Sequence, residues 1–290
     1  MKTIIVPTLG AEHIVSSLKL PEGFETMIPL GNKEGKRFFP DGEIYARLPD
    51  EIEGFDGRVV ILHSGQPDPG NSLTELEIIL STLKRANVQN VEIFFTYFPF
   101  CMQDKTEFKG DTNFAEDLIQ KLFTYYKVKK IYVLEAHFFG KEWLLKFPNL
   151  VHVSALELLK SQAEKEYGEL VYVAPDIGSQ KRANITGASK TRKNSFEVSF
   201  DHDEDFRKLI EGKVVGVVDD LVETGGTMAK FADVCRENGA KDVVALITHG
   251  VMESGVKRIR EAYSKLFLTN SINRAEANVD VSDLIIKALS

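Results

Sequence analysis

Asp219 and Asp220 stand side by side at the end of a β-favouring run, GKVVGVVDD. Glu223, Thr224, Gly225, Gly226 and Thr227 follow before a helical pattern begins. A loop between a parallel strand and a helix lies at the carboxyl end of its sheet, where open α/β folds bind ligands. Gly225 and Gly226 permit positive φ and close approach of the backbone to a ligand. With the hydroxyls of Thr224 and Thr227 they offer N–H and O–H donors at a helix N-terminus, which favours an oxyanion such as phosphate. Two acids beside a phosphate would repel it. They fit if they hold sugar hydroxyls, or a metal shared with them. A ligand with both a phosphate and a vicinal diol satisfies both halves, and a ribose phosphate is such a ligand. A lone TGGT reads more readily as a plain turn. Its conjunction with the acids is the specific signal.

The elements that must position these residues alternate between strand and helix. GRVVILHSG is followed by SLTELEIILSTLKRANV and then QNVEIFFTYF. Leu73, Leu76, Ile79, Leu80 and Leu83 recur at helical spacing. Ser72 is the expected N-cap of that helix, with Glu75 at the capping-box position. Later GKVVGVVDD is followed by GGTMAKFADVCRENGA, which Gly239 stops, and then KDVVALITHG. The two stretches read as copies of one unit, with Gly57 matching Gly212 and Val91 matching Val243. They predict an α/β fold of two duplicated domains, each with a mostly parallel sheet. The expected boundary follows WLLKFPN, giving residues 1–148 and 149–290. The first copy has HSGQPDPGNS where the second has DDLVETGGT, so the phosphate–sugar site belongs to the second domain.

Composition narrows the class. A chain of 290 residues suggests roughly two domains. No apolar run is long enough to span a bilayer, and the start, MKTIIVPTLG, reads as a first strand rather than a signal peptide. The formal net charge of -7 sets the overall field against nucleic acid. Two cysteines, Cys101 and Cys235, have no metal-type spacing, which suits a reducing, cytoplasmic setting.

At VVDDLVETGGT the sequence resembles the phosphoribosyl-pyrophosphate loop of type I phosphoribosyltransferases and of ribose-phosphate pyrophosphokinases. Other segments favour the second family. RFFPDGEIYARL resembles its adenine-site hairpin, TLKRANVQNVEIFFTYFPFCMQDK its segment ending in Tyr-Ala-Arg-Gln-Asp-Arg/Lys, EAHFFG its Asp-Leu-His segment, and APDIG its Ser/Ala-Pro-Asp-x-Gly. The resemblance runs in the same order over nearly the whole chain.

The resemblance implies transfer of the β,γ-diphosphoryl group of ATP to the anomeric hydroxyl of ribose 5-phosphate. Phe39, Asp41 and Glu43 would hold adenine, near a subunit interface of a homodimer or higher homo-oligomer. Gln103, Asp104 and Lys105 would contact ATP; here Cys101-Met102 replaces Ala-Arg, and Met102 cannot offer a guanidinium fork. His137 and Asp176 would be metal-site residues for Mg²⁺, joined by Asp219 and Asp220, with Glu135 standing where the family has Asp. Lys190 and Arg192, in GASKTRKNSFEV, would be the catalytic cations over the phosphates, with Lys193 the neighbouring register. Residues 223 to 227 would grip the 5-phosphate. Three other readings share these residues: the same transfer to a larger acceptor such as ADP-ribose, a phosphoribosyltransferase, and a non-catalytic regulatory relative.

Overall fold

The computed structural model describes residues 2–175, 190–192, 198–200 and 204–290, with 190–192 and 198–200 described by their backbone. The chain divides into two compact units. The first comprises Met1–Val153, Ser271–Asn273 and Val281–Ser290, and the second Ser154–Asn270 and Arg274–Asp280. The units therefore part after Val153, where the sequence placed a boundary at 148. The last helix, Ser282–Leu289, belongs to the first unit.

The first unit is built on β1 (Thr3–Pro7), β2 (Phe24–Thr26), β3 (Arg58–Ser64), β4 (Asn90–Tyr97), β5 (Lys130–Leu134) and β6 (Leu150–Val153). They form one sheet in the order β2-β1-β3-β4-β5-β6, parallel throughout. Val59 to Leu62 of β3 are wholly buried. A parallel sheet covered on both faces calls for such a continuous apolar run.

The second unit holds β7 (Val171–Val173), β10 (Val214–Val222), β11 (Asp242–Gly250) and β12 (Lys265–Leu268), all parallel in the order β12-β11-β10-β7. β8 (Lys190–Arg192) and β9 (Val198–Phe200) pair antiparallel as a separate ribbon. Side chains along the main strands alternate between two cores. Val215, Val217, Val243, Ala245 and Ile247 pack with Phe231 and Ile259. Val218, Val244 and Leu246 pack with Leu159 and Phe267. That period of two fixes which way each residue near the strand end faces.

The duplicated helices, Pro69–Arg85 and Gly226–Glu237, end alike. After the first, Val88 N–H donates to Leu83 O at 3.0 Å and Asn87 takes φ 57°. After the second, Ala240 N–H donates to Cys235 O at 3.1 Å and Gly239 takes φ 86°. Both are helix ends closed by a left-handed residue, as expected at Gly239. The strand registers differ by one from the sequence alignment: Val59 pairs with Val91, whereas Val215, not Val214, pairs with Val243.

One expected cap is corrected. Asp68, not Ser72, is the N-cap of the first helix, accepting from Gly70 N and Asn71 N at 3.1 Å each. Pro69 occupies the first helical position, where its missing N–H costs nothing. Ser72 lies inside the first turn and donates to Pro69 O. Glu75 is buried and turned to other partners.

Candidate functional site

In the second unit, β10 continues through both acids to Val222. Asp219 pairs in register with Ile247, and Leu221 with His249. Neighbouring residues of a strand point to opposite faces, so the carboxylates of Asp219 and Asp220 leave on opposite sides rather than as a pair. Asp219 is half-buried, Asp220 is buried, and the Asp220 N–H donates to Asp219 Oδ1 at 3.1 Å.

Beyond the strand, Glu223 and Thr224 are exposed and Gly225 is buried with φ 70° and ψ 3°. Gly225 is the N-cap of the Gly226–Glu237 helix and has no side chain with which to cap it. A Cβ at Gly225 would stand 2.9 Å from Gly255 O. The positive φ and the tight space both require glycine here. Gly226 and Thr227 open the helix, so their N–H groups lack intrahelical partners.

The loop is braced from the Glu253–Ala262 helix. A Cβ on Gly255 would lie 1.7 Å from Glu223 O, so that helix can approach the loop only without a side chain there. Arg258 Nη1 donates to Thr224 O at 2.6 Å. Beneath the first helical turn, the buried Tyr263 hydroxyl donates to Met228 O at 2.7 Å. Burial pushes its pKa well above the ordinary phenol value, so it stays a neutral donor. No sequence signal near the loop points to Gly255, Arg258 or Tyr263.

In the first unit, Phe39, Asp41 and Glu43 sit exposed on a hairpin. Gly42 N–H donates to Phe39 O at 3.0 Å and Phe39 N–H to Glu43 O at 2.9 Å. Asp41 Oδ1 accepts from Glu43 N at 3.2 Å, which shapes the turn. The rings of Phe39 and Tyr45 meet edge-on at 5.7 Å. They line a hollow of ≈ 620 Å³ with Phe38, Pro40, Lys33 and Lys36.

Gln103 and Lys105 are exposed, as is Met102, while Asp104 is 4% exposed. The Asp104 carboxylate is held by Lys141 Nζ at 3.2 Å, and its carbonyl accepts from Trp143 Nε1 at 3.2 Å. Asp104 therefore fixes the loop that presents its two neighbours. His137 is half-buried in the turn after β5. Glu135 enters that turn with φ 40° and lies 3.6 Å from His152 Nε2. Ala136 N–H donates to His152 Nδ1 at 3.3 Å, and Phe139 stacks on the same imidazole at 3.9 Å. An Nδ1 that accepts a backbone N–H carries no proton. Burial, which lowers the His152 pKa to about 4, fits that neutral form.

Lys190 and Arg192 lie on β8, in register with Phe200 and Val198 of β9. Asp176 and Lys193 lie outside the described residues. Among the described residues no three or more His, Cys, Asp or Glu gather into a metal cage. Mg²⁺ is held by one or two carboxylates, substrate phosphates and waters rather than by an all-protein cage. Carboxylates at the end of β10 suit that ion by their chemistry.

The sequence profile of the N-terminal domain of ribose phosphate pyrophosphokinase matches residues 10–125. The ribose-phosphate pyrophosphokinase of Pyrococcus abyssi is 29% identical over 295 residues, covering 99% of this chain and 98% of that protein. Its counterpart in Fusobacterium nucleatum is 29% identical over 262 residues, covering 84% of this chain and 79% of that protein. Among solved structures, phosphoribosylpyrophosphate synthetase from Mycobacterium smegmatis aligns with a TM-score of 0.77 at 22% identity, over 100% of this chain and 98% of that one. That structural likeness shows a shared fold.

Proposed function

We propose that the chain is a member of the ribose-phosphate pyrophosphokinase family, to which it is similar over almost its whole length, and that it transfers the β,γ-diphosphoryl group of ATP to the anomeric hydroxyl of ribose 5-phosphate. The observation that carries this reading is the uncapped N-terminus of the Gly226–Glu237 helix, just beyond Asp219 and Asp220. Its N–H groups suit the 5-phosphate, and the acids suit the ribose hydroxyls. The anomeric oxygen attacks the β-phosphorus in line, the bond to the α,β-bridging oxygen breaks, and AMP leaves. Phe39, Asp41 and Glu43 take the adenine, and Gln103 and Lys105 the rest of the nucleotide. Lys190 and Arg192 offset charge on the moving diphosphoryl group. No side chain acts as a covalent nucleophile; positioning and electrostatics supply the rate.

Mg²⁺ is the proposed metal, through His137, Asp176, Asp219 and Asp220; when bound it neutralises charge on the phosphates. A homo-oligomer is proposed, supported by the exposed Phe38 and Phe39 on the hairpin. A cytoplasmic setting is supported by two buried free cysteines. Among the described residues no helix is long and apolar enough to cross a membrane.

Phosphorus NMR on protein, Mg²⁺, ATP and ribose 5-phosphate tests the reading. AMP and a new anomeric diphosphate are expected. ADP as product would mean γ-phosphoryl transfer and overturn it. Turnover with ADP-ribose alone would move the acceptor to that larger substrate.

A further inference from the structure

The hairpin that carries Phe39, Asp41 and Glu43 is long and mostly exposed, yet one residue ties both of its arms to the first unit. Arg37 Nε donates to Tyr45 O at 3.0 Å on the returning arm, and Nη1 to Pro29 O at 3.3 Å on the incoming arm. The same Nη1 donates to Glu12 Oε1 at 2.8 Å on the Glu12–Val15 helix. Nη2 makes a short ion pair with Glu75, on the Pro69–Arg85 helix. The side chain of Arg37 is 14% exposed and that of Glu75 1%. Glu75 in turn accepts from Leu9 N–H through both oxygens, at 3.0 and 3.2 Å. That N–H lies just beyond β1.

We infer that Arg37 is a positioning residue for nucleotide binding, with Glu75 and Glu12 as the carboxylates that hold it in place. The inference rests on the proposed nucleotide role of this hairpin. Arg37 itself faces inward and touches none of the residues assigned to adenine. Its planar fork can serve two carboxylates and two carbonyls at once, a geometry an ammonium cannot reproduce. A buried carboxylate such as Glu75 is costly unless paired, so its place in the core needs Arg37 as much as the hairpin does. Burial, helped by the negative charge of Glu12, raises the Glu75 pKa to about 7 against the pull of Arg37 and the Leu9 N–H. Without that anchor the backbone rungs of the hairpin remain, notably Tyr45 N–H to Arg37 O at 2.7 Å and Phe39 N–H to Glu43 O at 2.9 Å. The hairpin would keep its own shape while losing its place against the Glu12–Val15 and Pro69–Arg85 helices.

The test is calorimetric titration of the full chain with Mg-ATP, then steady-state kinetics. Arg37→Met keeps an unbranched apolar stem and removes the fork. It should weaken ATP binding on the order of ten- to a hundredfold, with the acceptor KM within about twofold. Arg37→Lys should recover part of the loss. Should Arg37→Met fail to fold, Glu12→Gln removes only the outer, partly exposed carboxylate and should weaken ATP on the order of threefold. Arg37→Lys and Phe39→Ala, combined, should cost less than the sum of their separate effects, because both act through one hairpin. Folded Arg37→Met that binds ATP as wild type does overturns the inference; so do unchanged affinity in Glu12→Gln and strict additivity of Arg37→Lys with Phe39→Ala. Wild-type protein that binds no ATP would instead sink the nucleotide reading of the hairpin, and this inference with it.

Discussion

The two copies of the strand–loop–helix unit end their strands differently, and the contrast separates a support from a binding end. In the first copy β3 ends in His63 and Ser64, both fully buried. The helix that follows is closed by its own carboxylate, Asp68, which takes the N–H groups of Gly70 and Asn71. In the second copy β10 carries two acids just before its last two residues, and the glycine that caps the next helix has no side chain to close it. Helix N-termini carry partial positive charge and orphan donors. Asp68 satisfies both from within the chain. The second copy has glycine, Gly225, in the capping position instead. We propose that one backbone plan thus gives a structural joint in one place and an anion site in the other, the cap, the glycine loop and the acids together making the difference.

The most damaging challenge to this contrast is Gly255→Ala. The new Cβ would lie 1.7 Å from Glu223 O, so the loop or the Glu253–Ala262 helix must shift. Activity should fall on the order of 10²–10³-fold, comparable to losing a preorganised oxyanion donor. Titration should show lost ribose 5-phosphate affinity with Mg-ATP affinity retained. Retained acceptor affinity would mean that the loop does not need this support.

How far these differences are legible in the sequence depends on how local they are. The strand-to-helix turn at DDLVETGGT is legible because its residues are contiguous. The cap was misplaced because Ser72 fits a capping box, while the stronger start signal is Asp68 followed by Pro69. The opposite facing of Asp219 and Asp220 follows from β10 running on to Val222, which Leu221-Val222 allowed but did not demand. Gly255, Arg258, Lys141 and the Arg37–Glu75 pair act across the fold, at separations where no local pattern exists. The return of Val281–Ser290 to the first unit is likewise a tertiary fact. Asp176 and the side chains of Lys190 and Arg192 rest on the family resemblance alone.

An intermediate effect should appear in acid. His63 is wholly buried, with Nδ1 3.1 Å from Thr8 Oγ1 and its ring edge-on to Phe95. Burial lowers its pKa from 6.5 to about 3. The unfolded chain therefore takes up a proton first as pH falls. The stability tied to neutral His63 is present above pH 6.5 and is lost progressively toward about 3. At ~1.4 kcal/mol per pH unit, the loss at pH 5 is about 2 kcal/mol. Glu75 works the other way. Its pKa is raised from 4.5 to about 7, so its burial penalty is relieved as pH falls through that window. Denaturant unfolding at pH 7 and pH 5 separates the two. His63→Gln should gain about 2 kcal/mol relative to wild type between those conditions, and Glu75→Gln should move the opposite way. No pH dependence in the His63→Gln difference would show that this strand end does not hold a neutral imidazole.

The smallest effect bears most directly on the capping argument. Asp68→Ala opens the N-terminus of the Pro69–Arg85 helix without touching its packed face. Asp68 is exposed, and its pKa is lowered chiefly by the Asn71 N–H and then by the Asn71 side chain, so the carboxylate serves the helix end as an anion. Losing a cap of this kind typically costs ~1 kcal/mol, within a range of about 0.5–2. Thermal unfolding should register that as a drop of a few degrees, with the kinetic constants for both substrates unchanged. The variant should still bind no ribose phosphate at its first helix. An uncapped N-terminus there would have Pro69 in place of one donor, no glycine loop to let a phosphate approach, and no carboxylate at the end of β3 for a diol. Ribose 5-phosphate titration of Asp68→Ala settles the point through its stoichiometry. One equivalent per chain in both variant and wild type means that the second copy owes its ligand to the whole loop. A second equivalent would mean that the missing cap alone makes the site.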